Sequence, residues 1–150
     1  MPKPFPLQIL LDLARTESDT ATARLGTLNR HDRDMAQRLR LLLEYRREYN
    51  ARLVRMTAGG VNSVDWCNCL EFIGKIDAAI AQQRETLAES KHQLHTGRNQ
   101  WQEQRRKLKS LDTLSERHRA LGLKHESKSE QKEQDEYALK GFLGGRVLMG

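Results

Sequence analysis

Apolar residues recur at alternating steps of four and three from Leu7 to Met56, and this heptad repeat constrains the fold more than any other feature of the chain. Twelve of the fifteen positions are apolar or Tyr, and the exceptions are Ser18, Asp32 and Arg46. A period of 3.5 residues keeps one side of a helix facing a partner helix, so a register kept this long is typical of a coiled coil. The sequence therefore predicts one long helix in this half of the chain.

A second series of apolar residues follows at intervals of seven. Its members are Trp66, Ile73, Ile80, Leu87, Leu94, Trp101 and Leu108. A second position of the repeat, the half-heptad position, lies three residues after each of these. It is polar or small at 83, 90, 97 and 104, so we expect a thin helix contact over 83–104. Between the two series, Gly59 and Gly60 can end the first helix, and Asn62 or Ser63 can cap the second. So short a turn forces the two helices to run antiparallel.

We therefore predict an all-α fold, a long antiparallel two-helix coiled-coil hairpin. Its parts are a flexible Pro-rich start over 1–6, helix one over 7–57, a turn over 58–63, helix two over 64–140 and a flexible tail over 141–150. Helix two overruns its partner after about residue 112, and each paired arm spans about 75 Å at 1.5 Å per residue. Only 37% of residues are hydrophobic and 31% are charged, which excludes a large round core. No proline after Pro6 interrupts either helix.

One residue separates the two cysteines, Cys67 and Cys69. Structural zinc sites usually separate their cysteines by two to four residues and need further ligands. We expect Cys69 to fill the helix contact as a small apolar residue, with Cys67 beside it. His118 and His125 lie seven apart on the overrunning helix, where we expect a solvated face. The sequence therefore predicts neither a metal site nor a cofactor.

Nucleotide hydrolysis is not favoured, because the Gly74-Lys75 pair lacks the rest of a phosphate-binding loop. A catalytic site also needs side chains converging in a concave pocket, which a two-helix hairpin lacks. We therefore expect a protein that is not an enzyme and has no small-molecule substrate. Without a signal pattern or a long apolar run, we expect it to be soluble and cytoplasmic.

The chain has 26 Lys and Arg against 20 Asp and Glu, a net charge of +6. The densest basic run is Arg105-Arg106-Lys107-x-Lys109. Nucleic acid would use such residues as phosphate contacts, but acidic residues interleave with them and no stacking aromatics accompany them. The solvated flank of a coiled coil is the favoured interpretation, followed by a basic surface that meets an acidic protein.

Two short stripes of apolar residues flank the turn. They are Leu42, Tyr45 and Tyr49 on helix one and Phe72, Ile76 and Ala79 on helix two. A hairpin centred between Gly60 and Val61 pairs Leu42 with Ala79, Tyr45 with Ile76, and Tyr49 with Phe72, so the stripes can form one patch.

Two interpretations of this patch stay open. Leu42, Tyr49 and Ile76 can simply fill the helix contact. Tyr45 and Phe72 fall outside the heptad positions, which favours an exposed docking surface for a partner protein.

At this patch the sequence resembles the FliJ family, the coiled-coil component of the flagellar type III export apparatus. The matching motifs are Leu42-x-x-Tyr45-x-x-x-Tyr49, Gly60-Val61 leading to Trp66, Phe72-Ile73-x-x-Ile76-x-x-Ala79-Ile80, Leu10-x-x-Leu13-Ala14 and Glu130-Gln131-Lys132-x-x-Asp135-Glu136-Tyr137-Ala138. Arg38 and Gln83 stand where the family pattern has Gln and His. The resemblance covers about residues 7–140.

The resemblance implies a non-enzymatic coupling protein similar to the shaft of the ATP synthase γ subunit. It implies that the end with both termini binds the export ATPase hexamer, and that the protein also handles export chaperones. It assigns Leu42, Tyr45, Tyr49, Phe72, Ile76 and Ala79 to the cytoplasmic domain of the export-gate membrane protein. It also implies a peripheral position at the cytoplasmic face of the inner membrane through these partners. A basic coiled coil that binds nucleic acid, or a generic adaptor, is the alternative.

Overall fold

The computed structural model describes residues 3–60 and 62–149, and the side chains of 3–60 and 62–145. These residues form two helices, α1 (Gln8–Ala58) and α2 (Ser63–Met149), and contain no strand. The predicted all-α class and two-helix hairpin are confirmed. Within the described residues, no helix has a stretch long and apolar enough to cross a membrane.

The turn between the helices follows the predicted turn chemistry. The Gly59 amide donates to the Arg55 carbonyl at 2.9 Å, and Gly60 then takes a positive φ of 66°, a backbone conformation that glycine adopts without strain. The Asn62 side chain accepts a hydrogen bond from the Val64 amide at 3.2 Å, which caps α2. Residue 61, at the predicted centre of the hairpin, lies outside the described residues.

The chain divides into two compact units, and both helices contribute to each. The hairpin unit is Asp19–Glu103 and contains the turn. The terminal unit consists of Met1–Ser18 and Gln104–Gly150.

The core of the hairpin unit lies at the predicted heptad positions. Its buried members are Met35, Cys69, Ile73, Ile76 and Ile80, together with Ser90 and Gly97. Burying each large apolar side chain contributes roughly 1.5–3 kcal/mol, so the three isoleucines of α2 are the main source of stability near the turn. Cys69 fills the helix contact as expected, whereas Cys67 is exposed.

Over 83–104, where we predicted a thin contact, polar groups meet across the hairpin unit. Gln83 Nε2 donates to the Met35 carbonyl at 2.9 Å, and Ser90 Oγ donates to Asp32 Oδ1 at 3.4 Å. A Cβ built on Gly97 would lie 2.5 Å from Leu28 Cδ1, so the leucine occupies the space that glycine leaves. The heptad exception Asp32 is therefore explained by its partner Ser90.

In the terminal unit, Leu11, Ala14 and Ser18 of α1 are buried. Two ion pairs join α1 to α2 in this unit. Arg15 Nη2 lies 3.3 Å from Asp112 Oδ1, and Lys107 Nζ lies 3.9 Å from Glu17 Oε2.

The expectation that His118 lies on a solvated face is wrong. Its ring is half-buried, with Nε2 3.0 Å from the Lys3 carbonyl and its centroid 5.6 Å from that of Phe5. The residues before α1 therefore reach α2 beyond residue 112, where we predicted that the overrun begins.

The end of helix two also differs from the prediction at residue 140, since α2 continues to Met149. Glycines such as Gly141 and Gly144 weaken a helix by about 1 kcal/mol each but, unlike proline, remove no hydrogen bond. Residues 127–145 of this extension are exposed.

Candidate partner-binding surface

The six residues predicted to form a docking patch all lie in the hairpin unit, close to the turn. The heptad register turns the isoleucines of α2 toward α1, which leaves the flanking positions facing outward. Phe72 directly precedes the buried Ile73 and projects to one side of the helix contact. Tyr45 occupies the corresponding outward position on α1.

The burial of these residues separates the two interpretations. Tyr45 is 51% exposed and Phe72 is 43% exposed, and Ala79 is also exposed. Leu42 and Tyr49 are half-buried, and Ile76, at 6%, belongs to the core. The exposed apolar surface therefore consists of Tyr45, Phe72 and Ala79, with the edges of Leu42 and Tyr49, and we call this set the aromatic patch.

Two aromatic rings join the helices within the patch. The centroids of Tyr49 and Phe72 lie 4.5 Å apart with a tilt of 43° between the rings. The buried Cys69 thiol donates to the Tyr49 carbonyl at 3.8 Å. The guanidinium of Arg52 lies 5.3 Å from the centre of the Tyr49 ring. Phe72 is thus held in place on one side while its other side faces solvent.

The charged surroundings of the patch are partly satisfied within the chain. Arg46 Nε lies 2.7 Å from Asp77 Oδ1, and both side chains are about half exposed. Arg38 is exposed. Gln83 instead turns into the helix contact, where it also lies 3.5 Å from the Met35 sulfur. Of these two residues, Arg38 is thus the one left on the surface.

Two features of this surface do not follow from the heptad pattern. One is the contact of Arg52 with Tyr49, which their three-residue spacing could have indicated, because a helix brings side chains at that spacing together. The orientation of Gln83 has no signal in the sequence, since a polar residue at a half-heptad position can turn inward or outward.

A second apolar surface lies in the terminal unit. Ile9 is 83% exposed, and Leu10 and Leu13 are each about half exposed. An open groove of about 310 Å³ lies beside them, lined by Leu10, Leu13, Ala14, Glu17, Lys107, Ser110 and Leu111. Leu10 and Leu13 lie between the heptad positions, so the repeat alone does not mark them as a surface.

Neither surface offers the side chains of a metal centre. Within the described parts of the chain, no three His, Cys, Asp or Glu side chains come together in a way that could hold a metal ion. Both surfaces are combinations of apolar side chains and formal charges, which suits contacts with other proteins.

The chain is similar to known flagellar proteins over nearly its whole length. A family model described as Flagellar FliJ protein matches residues 2–146. The flagellar FliJ protein of Escherichia coli (strain K12) is 32% identical over 137 residues, which cover 91% of this chain and 93% of that protein. The flagellar FliJ protein of Salmonella typhi matches with the same identity and coverage.

Proposed function

The chain belongs to the FliJ family of flagellar proteins, and we propose that it is a non-enzymatic coupling component of flagellar type III protein export. In this role it binds the export ATPase hexamer and the cytoplasmic domain of the export-gate membrane protein, and it handles export chaperones. These contacts hold it at the cytoplasmic face of the inner membrane. The observation that carries the proposal is the exposed aromatic patch of a chain that matches the family over nearly its whole length.

The aromatic patch supports the contact with the export gate. Exposed aromatic side chains that are already packed on one side lose little conformational entropy on binding, and they are the residues that most often dominate interface energies. Phe72 has this arrangement because the Tyr49 ring supports it, and Tyr45 adds a second exposed aromatic side chain. Ile76 contributes indirectly, because it fixes the spacing of the two helices beneath the patch.

The terminal unit supports the contact with the export ATPase. Its exposed Ile9, Leu10 and Leu13 form an apolar strip of the kind that pairs with a complementary protein surface. The strip and the aromatic patch belong to different compact units, so we expect changes to one surface to leave the other intact. Two separable binding surfaces are what a coupling protein requires.

Nucleotide hydrolysis by the purified cognate export ATPase tests the proposed function. We expect the chain to co-purify with the ATPase and to raise its hydrolysis rate. We also expect Ile9→Ser with Leu13→Ser to remove both effects. Val54→Ser with Val64→Ser, a matched pair of exposed apolar residues in the hairpin unit, should leave both unchanged. If the unaltered chain neither binds the ATPase nor changes its rate, the proposal is wrong.

A further inference from the structure

Five exposed cations follow one line along α2 in the terminal unit. They are Arg106, Lys109, Arg117, Lys124 and Lys128, and we call them the basic ridge. At about 100° per residue they fall within a sector of about 100° around the helix. The half-buried Leu108, Leu111 and Ser115, which face the helix contact, lie on the opposite side. The ridge therefore occupies the outer face of α2.

The chain does not neutralise this ridge. The acidic residues over 104–134 all fall outside its sector, and they are Asp112, Glu116, Glu126, Glu130 and Glu133. Among the described residues, no ridge cation forms an ion pair, whereas the neighbouring Lys107 pairs with Glu17. Part of the +6 net charge is therefore concentrated on one helix face.

The ridge also has an apolar border. Leu114 is 43% exposed and Leu121 is 67% exposed, and their seven-residue spacing places both along the same edge of the ridge. Beside Leu114 an open groove of about 650 Å³ runs along the helix, lined by Arg106, Lys109, Ser110, Thr113, Leu114 and Arg117. Leucines at a heptad interval with cations alongside match one half of a coiled-coil contact, in which charges flank an apolar line.

We propose that the basic ridge, with Leu114 and Leu121, binds an acidic amphipathic helix of a partner protein. The leucines would pack against the apolar side of that helix, and its flanking carboxylates would pair with the ridge cations. This surface is additional to the aromatic patch and to the Ile9, Leu10 and Leu13 strip, and it assigns a role to the basic excess of the chain.

Two other anionic partners fit these observations less well. Nucleic acid binding would use the cations but leave the exposed leucines without a role, and residues 106–128 contain no Phe, Tyr or Trp on which a base could stack. An anionic membrane favours a broad apolar face, whereas two leucines over about 33 Å of helix form a narrow one.

Binding of a designed peptide to the full chain tests the proposal. The probe is a fluorescein-labelled helical peptide of about 21 residues, with leucines at the two apolar heptad positions and glutamates flanking them. We expect fluorescence anisotropy to report binding that weakens as salt rises from about 50 to about 200 mM. Arg106→Glu, Lys109→Glu and Arg117→Glu together should weaken it at least about tenfold. Leu114→Gln with Leu121→Gln should weaken it several-fold.

Two matched controls separate this site from general charge attraction. Arg40→Glu, Arg84→Glu and Lys91→Glu reverse three exposed cations of the hairpin unit and should leave peptide affinity within about twofold. A scrambled peptide of the same composition should bind at least about tenfold more weakly. Equal loss in the control variant, or equal binding of the scrambled peptide, would overturn the proposal.

The same measurement with a DNA duplex of about 20 base pairs and with phosphatidylserine vesicles completes the comparison. Ridge-dependent binding of the duplex or the vesicles without binding of the peptide would also overturn the proposal. Circular dichroism of each variant confirms that its helices are intact.

Discussion

Tyr49 of α1 and Phe72 of α2 contact each other across the hairpin unit, with ring centroids 4.5 Å apart. The pair connects two properties of this protein. Tyr49 is a heptad residue that holds the helices together, and Phe72 presents an aromatic ring to solvent. The docking surface near the turn is thus built directly on the helix contact.

A double-mutant cycle measures what this contact contributes. Tilted aromatic pairs contribute about 0.5–1.5 kcal/mol beyond the area that they bury. We therefore expect Tyr49→Leu and Phe72→Leu to show a coupling energy of about 1 kcal/mol in urea unfolding. The pair Tyr45 and Phe72, analysed in the same way, should couple by less than about 0.3 kcal/mol. Equal coupling in the two cycles would contradict the special role of the Tyr49 ring.

The heptad pattern predicted both helices, the turn and most of the core, because burial at Ile73, Ile76 and Ile80 depends only on periodicity. The sequence left the patch open between helix contact and exposed surface, although the position of Tyr45 and Phe72 outside the heptad repeat favoured exposure, and both side chains are exposed. Ile76 had two open interpretations, since a residue at a half-heptad position can belong to the core or to a surface stripe.

Other features depend on information that periodicity does not contain. The path of residues 3–7 is set by the contact of Phe5 with His118, which no repeat encodes. The direction of the Gln83 side chain is set by the position of the Met35 carbonyl. The end of α2 depends on the sum of many small helix propensities, and single glycines near 141–145 do not decide it.

Replacing Gly97 tests the close approach of Leu28. Gly74→Ala should stabilise the protein by up to about 1 kcal/mol, because alanine favours the helix and a Cβ there meets nothing within 4 Å. Gly97→Ala should stabilise the protein less or destabilise it, since Leu28 must move away from the new methyl group. In a Leu28→Ala background, Gly97→Ala should stabilise the protein as much as Gly74→Ala does. Thermal unfolding of the two glycine variants, of Leu28→Ala and of the Leu28→Ala, Gly97→Ala double variant is the measurement. If Gly97→Ala has the same effect with and without Leu28→Ala, the contact between Gly97 and Leu28 is contradicted.

Two glutamines of α2 offer a test of polar groups in the helix contact. Gln104 Oε1 is buried and, within the described residues, has no hydrogen-bond partner, whereas Gln83 donates to the Met35 carbonyl. We expect Gln104→Leu to raise the free energy of unfolding by about 1–2 kcal/mol, because it removes an unsatisfied buried oxygen. Gln83→Leu should gain less, because it also loses a hydrogen bond. Denaturant unfolding measures the free energy of unfolding of both variants. A larger stabilisation by Gln83→Leu than by Gln104→Leu would contradict the hydrogen bonding described for the two glutamines.

His118 holds the residues that precede α1. We expect His118→Ala to release residues 3–7, since it removes both the hydrogen bond to the Lys3 carbonyl and the contact with Phe5. Exchange of the Gln8 amide, which donates to the Phe5 carbonyl, should become faster by about fivefold to tenfold, which corresponds to about 1 kcal/mol. His125→Ala, at an exposed position on the same helix, is the control and should leave the exchange unchanged. Unchanged exchange in His118→Ala would show that the contact does not hold the segment.

Binding to the cytoplasmic domain of the export gate tests the central claim most directly. We expect Tyr45→Ala with Phe72→Ala to weaken this binding at least about tenfold, because the two side chains are the most exposed aromatic part of the patch. Val54→Ala with Val64→Ala, which removes exposed apolar groups outside the patch, should leave it unchanged. Stimulation of the export ATPase should stay intact in both variants. If the patch variant binds the gate as well as the unaltered chain does, or loses both activities together, the account of two separate coupling surfaces is wrong.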